Sequence, residues 1–125
     1  MKSFARPVAI GLSLISLAAA MSAAYAQKPA AKAVGYAPIE KVVKTRCVGC
    51  HQGTTPAGGV NLSSYAELTK AKYKGKPVVV AKNAKESILV KALHGKGVAK
   101  MPPGPGLSAA EIKAVEAWIN AGAKK

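Results

Sequence analysis

Four short stretches of this chain place apolar side chains at helical spacing, and segments rich in glycine, proline and lysine separate them. Ile39, Val42 and Val43, continued by Arg46, follow an i, i+3, i+4, i+7 stripe, which predicts a helix from Pro38 that runs into Cys47. Proline suits a first helical turn because its missing N–H is unpaired there anyway. Ser64 with Glu67 three residues on forms a capping-box pattern after Leu62, predicting a second short helix through Leu68. Asn83 with Glu86 repeats that pattern and predicts a third helix through Ile88, Leu89, Ala92 and Leu93, stopped at Gly95. The last helix has the fullest set of signals. Ser108 is its N-cap, Glu111 the third helical residue, and Leu107 can staple to Ile112. Ile112, Val115, Trp118 and Ile119 line one face, and Gly122 ends it.

The intervening segments carry different signals. Residues 52–60 are loop chemistry, with three glycines and a proline. Lys70, Lys72, Lys74 and Lys76 form a basic run around Tyr73. Pro77-Val78-Val79-Val80 is apolar and extended but too short to found a sheet. From Gly95 to Gly106 a loop holds three prolines around Met101. The pattern predicts an all-α domain of about four short helices, with no strand pair and no internal repeat.

Ahead of this pattern, residues 1–26 read as a secretory signal peptide. Lys2 and Arg6 make the basic end, Val8 to Ala20 the apolar run, and Ala24-Tyr25-Ala26 the cleavage site. The run is short for a membrane span, and Ser13, Ser16 and Ser22 dilute it or its flank, so no stable membrane insertion is expected after cleavage. The organisation is thus a leader over 1–26, a flexible segment over 27–37 and a folded domain over 38–125. The expected location is the periplasm.

Composition then limits what that domain can be. Cleavage leaves 99 of the 125 residues, with 17 of the 19 basic side chains facing all 5 acidic ones. One Trp, three Tyr and one Met remain, a thin stock of large side chains for a core. A large multi-layer enzyme is not expected. A domain this small calls for a staple, whether disulfides, a metal or a cofactor. Its two cysteines lie three residues apart and cannot close a long disulfide loop.

Those cysteines sit in Cys47-Val48-Gly49-Cys50-His51, a C-x-x-C-H run, which reads as covalent c-type haem attachment. Two thiols three apart on a helical turn project the same way, so each can bond one haem vinyl group. His51 then falls beneath the ring as an iron ligand. A thioredoxin-like C-x-x-C lacks its βαβ setting here. A zinc site would need four converging ligands from Cys47, Cys50, His51 and His94, of which two are adjacent. A bare local disulfide is the third alternative. Met101, the one methionine left after cleavage, is the expected second iron ligand, as His/Met iron is common in electron-transfer cytochromes. His94 is its rival. At the end of a helix beside Gly95 it also suits a simple interaction with the helix dipole.

These residues resemble the class I c-type cytochromes over about residues 38–122. Gly58-Gly59-Val60-Asn61-Leu62, Ser87-Ile88-Leu89, Met101-Pro102-Pro103 and Leu107-Ser108 with Trp118-Ile119-Asn120-Ala121-Gly122 are similar, more narrowly, to the planctomycete-type cytochrome c domain. The resemblance implies a cytochrome c-like helical fold around one covalently bound haem c. It further implies a non-enzymatic carrier of single electrons. Two departures stand out. Many class I members carry a small residue and an aromatic before the first cysteine, where this chain has Ile39 and Val43, so the crossing with the Trp118 helix is expected to be aliphatic on one side. The family's proline carbonyl partner for the proximal imidazole also lacks a clear counterpart, leaving Pro56 or a backbone group in 58–60.

Two other functions compete with the free carrier. One is a haem subunit of a larger oxidoreductase. The other is a peroxidase-like or gas-sensing haem with a displaceable Met101, although no acid accompanies His94 as a distal group. The basic excess implies acidic redox partners reached by electrostatic steering, through Lys70, Lys72, Lys74 and Lys76 first and Lys96 and Lys100 second. Nucleic acid is not an expected partner of an exported chain without aromatic-interleaved basic motifs.

Overall fold

Helix α1 spans Tyr36–Arg46, α2 Tyr65–Lys70, α3 Ile88–His94 and α4 Ala109–Asn120 in the computed structural model, which describes residues 34–125. The expected leader over 1–26 and most of the 27–37 segment lie outside the described residues. No helix among the described residues is long and apolar enough to cross a membrane. A single 3-10 turn at Ala57–Gly59 breaks the segment between α1 and α2.

The first and last helices form the centre of the molecule. α1 lies against α4, burying Tyr36, Ile39 and Val43 in one core with Val115, Trp118 and Ile119. α3 also packs on α4, and it buries Leu89, Val90 and Leu93. Trp118 is fully buried, and its indole Nε1–H donates to the Lys124 carbonyl at 2.7 Å. Tyr65 Oη likewise donates to the Ala123 carbonyl at 2.9 Å. The tail after α4 is therefore part of the core.

Three expectations need correction. α1 starts at Tyr36, two residues before Pro38, because Tyr36 has a place in the core. Its ring meets Tyr65 edge-on at 5.0 Å and Trp118 at 5.6 Å, geometries that favour aromatic pairs. The crossing with α4 is thus partly aromatic on the α1 side, not only aliphatic. The third helix starts at Ile88, not after Asn83. Glu86 N–H does donate to Asn83 Oδ1 at 3.2 Å, but the result is a turn. Ser87 then turns its buried hydroxyl back to Val80 and Asn83.

The third correction concerns strands. Lys72–Tyr73 (β1) and Lys76–Pro77 (β2) pair antiparallel, with Lys72 opposite Pro77 and Tyr73 opposite Lys76. The two central turn residues, Lys74 and Gly75, have φ of 49° and 76°. Positive φ at both positions matches the twist of a two-residue hairpin, and glycine takes it without steric cost. The domain is helix-rich with one minimal hairpin, and Val78 and Val79 follow it into the core.

Candidate functional site

α1 delivers the cysteine pair. It ends at Arg46, and Cys47 N–H closes its last turn on Val43 O at 2.9 Å. The chain then tightens, with Cys50 N–H and His51 N–H both donating to Cys47 O, at 3.2 and 3.1 Å. Two further bonds hold the turn in place: Ala57 N–H to Cys50 O at 2.8 Å, and Leu62 N–H to His51 O at 2.7 Å. Cys47, Cys50 and His51 all line one mostly apolar cleft of about 430 Å³. That volume falls within the range of small-molecule and cofactor sites, about 300–1,000 Å³.

Met101 lines the same cleft from the loop after α3. Its N–H donates to Ala92 O at 2.9 Å, so the loop is sewn to the helix at this residue. Upstream, Gly95 caps α3 in the left-handed conformation, φ 64°, and Lys96 N–H reaches Lys91 O at 2.8 Å. The four residues picked from the sequence, Cys47, Cys50, His51 and Met101, are thus brought together. His94 is not among the lining residues. Its Nε2 pairs with Glu116 Oε1 of α4 at 2.8 Å on the surface, so an acid does accompany His94, contrary to expectation, but outside the cleft lining.

The imidazole has a defined role in this geometry. His51 Nδ1 lies 3.0 Å from Val60 O. A carbonyl can only accept, so Nδ1 carries a proton; in the neutral imidazole this leaves the lone pair on Nε2. Of the two candidates from the sequence, Pro56 and a backbone group in 58–60, the one in place is the Val60 carbonyl. The two thiols differ. Cys50 is exposed, while Cys47 is half-buried and desolvation pushes its thiol up to about 11, against a lowering pull from Arg46. Both cysteines are free of any disulfide.

Sequence reasoning missed one wall of the cleft. Ile88, Leu89, Ala92 and Leu93 of α3 line it, and Tyr73 of the hairpin joins them. α3 carries apolar residues around more than one face, enough to pack on α4 and to cover something else. That width was the available signal. The donor set also says what the cleft suits. Among the described residues no group of three or more His, Cys, Asp or Glu side chains could hold a metal ion. One imidazole nitrogen, one thioether sulfur and two free thiols in an apolar cleft fit a flat apolar cofactor that brings its own metal.

Beside the cleft runs a second groove of about 590 Å³, lined by Lys74, Lys76, Lys91 and Lys96. It shares Tyr73, Ile88, Val98 and Ala99 with the cleft. Of the lysines singled out from the sequence, Lys74, Lys76 and Lys96 line this groove, and Lys70, Lys72 and Lys100 do not. Four of the acids are occupied locally. Glu40 pairs with Lys44 at 2.9 Å, Glu86 with Lys91 at 2.9 Å and Glu116 with His94, while Glu111 accepts from Ser108 N–H at 2.7 Å.

Residues 47–105 match the family model described as planctomycete cytochrome C. The match starts at Cys47 and takes in the cysteine turn, the lysine groove and the Met101 loop. No curated protein and no solved structure matches the chain.

Proposed function

With a planctomycete cytochrome C segment as the premise, we propose that this chain is an exported monohaem c-type cytochrome that carries single electrons between redox proteins. One observation carries the reading: Cys47, Cys50, His51 and Met101 line a single apolar cleft. Haem, when bound, supplies an iron that alternates between Fe(III) and Fe(II). The chain's own residues do the rest. The Cys47 and Cys50 thiols would hold the haem, each through one thioether to a vinyl group. His51 offers Nε2 to the iron, held in orientation by Val60 O. Met101 offers its sulfur, which favours Fe(II) over a second imidazole. With His51 and Met101 both engaged, the chain would leave no open position for a substrate, which supports a carrier over an enzyme. The groove of Lys74, Lys76, Lys91 and Lys96 beside the cleft supports an acidic redox partner that docks there.

The test is a mass and a spectrum. The mature protein is expected to start at Gln27 and to weigh one haem more than its polypeptide. Cys47→Ala and Cys50→Ala are each expected to prevent stable holoprotein. Met101→Ala should convert low-spin iron to high-spin or water-ligated iron and lower the potential, while His94→Ala leaves the spectrum unchanged. Recovery of the bare polypeptide mass, from cells that attach haem to other exported cytochromes, overturns the reading. Loss of the low-spin spectrum in the His94 variant moves the second ligand to His94.

A further inference from the structure

The loop that carries Met101 is tied down unevenly. Its near end is held by Met101 N–H on Ala92 O. Its far end enters α4 through the Ser108–Glu111 capping box. Between them lie Pro102, Pro103 and Pro105, which have no N–H, and two glycines. Across this span a side chain makes one hydrogen bond: Arg46 Nη2 donates to the buried Gly106 carbonyl. Arg46 is the last residue of α1, directly before Cys47, and it lines the cleft itself.

Its guanidinium therefore ties the end of the attachment helix to the far end of the methionine loop. No carboxylate lies within salt-bridge distance of it among the described residues. The positive charge is nonetheless felt by Glu111 on the first turn of α4, whose carboxyl it helps to hold low after the Ser108 bonds. Arg46 thus faces the loop and the start of the helix that follows it. A charged donor on a carbonyl makes a stronger bond than a neutral pair.

We propose that Arg46 is a positioning residue, a latch that holds the Met101 loop shut over the cleft and keeps the methionine sulfur in competition with other ligands. The inference rests on Met101 as the second iron ligand. With the latch removed, the loop samples open positions more often, and an outside ligand meets less competition. The sulfur donor is unchanged in kind. Only the fraction of time it is in place falls.

The experiment uses ferric holoprotein and imidazole as the competing ligand. Affinity is read by titration, and methionine ligation by its long-wavelength absorption band. Arg46→Met removes the donors while keeping an apolar stem, and Arg46→Gln removes the charge and falls short of Gly106. Both are expected to bind imidazole more tightly, Arg46→Met by about tenfold, the size expected for one charge-assisted hydrogen bond. In a Met101→Ala background the same change should have no effect, because the latch acts through Met101. An effect of equal size in both backgrounds marks Arg46 as a mere part of the cleft wall and overturns the latch, as does unchanged affinity in both Arg46 variants. A wild-type protein without the methionine band fails at the earlier step, the ligation itself.

Discussion

Ser87 shows how much one small side chain decides here. It is fully buried, yet it does not cap the helix it precedes. Its hydroxyl accepts from Val80 N–H at 2.9 Å and donates to Asn83 O at 2.9 Å, closing the 80–87 turn from inside. Alanine would fit the space and leave the half-buried Val80 N–H without that partner. Such a loss costs about 1–3 kcal/mol. Ser87→Ala is therefore expected to lower the unfolding free energy of the holoprotein, read by urea denaturation, by that much, whereas the exposed Ser63→Ala stays within about 0.5 kcal/mol. Equal midpoints for the two variants would mean the buried hydroxyl contributes nothing. Because Val80 and Leu89 both neighbour this turn, its loosening also reaches the cleft wall through Val78, whose carbonyl accepts from Leu89 N–H at 2.9 Å.

At the scale of elements, α4 is the best-specified helix. Ser108 Oγ accepts from Glu111 N–H at 3.2 Å and Glu111 Oε2 accepts from Ser108 N–H at 2.7 Å. Ser108→Ala is expected to cost about 1 kcal/mol. These bonds also lower the Glu111 carboxyl from its ordinary value of 4.5, the backbone bond first and the side-chain bond next. A depressed carboxyl contributes stability above its unfolded-state value and loses it as pH falls through the lower folded-state value. Thermal midpoints of the wild type and Glu111→Gln should therefore differ at neutral pH and converge in acid as the pH falls through the lowered folded-state value. A constant gap across that range contradicts the capping account. α4 was legible because each of its signals is local: cap, third residue, staple and stop. The C-x-x-C-H turn was legible for the same reason. Tyr36 was not, since its value lies in rings far along the chain, at Tyr65 and Trp118. The hairpin turn lacked the usual Asn-Gly or Asp-Gly signal, with lysine in the first left-handed position. α3 as a cleft wall and Arg46 over the loop were hidden because both depend on how separate elements meet.

For the whole molecule, the distribution of charge matters more than its sum. Glu40, Glu86, Glu111 and Glu116 each have a partner close by, so most of the cationic surface has no acid to offset it. Lys74, Lys76 and Lys96 concentrate that surface beside the cleft, and Lys91 is partly neutralised by Glu86. Electron transfer with an acidic partner should slow steeply as salt rises, since screening acts within about 10 Å at 0.1 M. Changing Lys74, Lys76 and Lys96 together to Gln should flatten that salt dependence, while the same change at exposed Lys82, Lys85 and Lys113 should not. Stopped-flow rates across ionic strength check both, and equal slopes for the two triple variants would remove the groove from partner docking. The pairing of α1 with α4 has a consequence of another kind. Tyr36, Ile39 and Val43 have no lasting cover until Val115, Trp118 and Ile119 exist. Synthesis delivers the chain from its N-terminus, so contacts between its two ends form last. The Cys47–His51 turn thus emerges into water well before the helix that closes the core. During that interval Cys47 is as open as Cys50, although in the finished fold it is half-buried. Both thiols are then at their most accessible, before the last helix arrives to close the core over that turn.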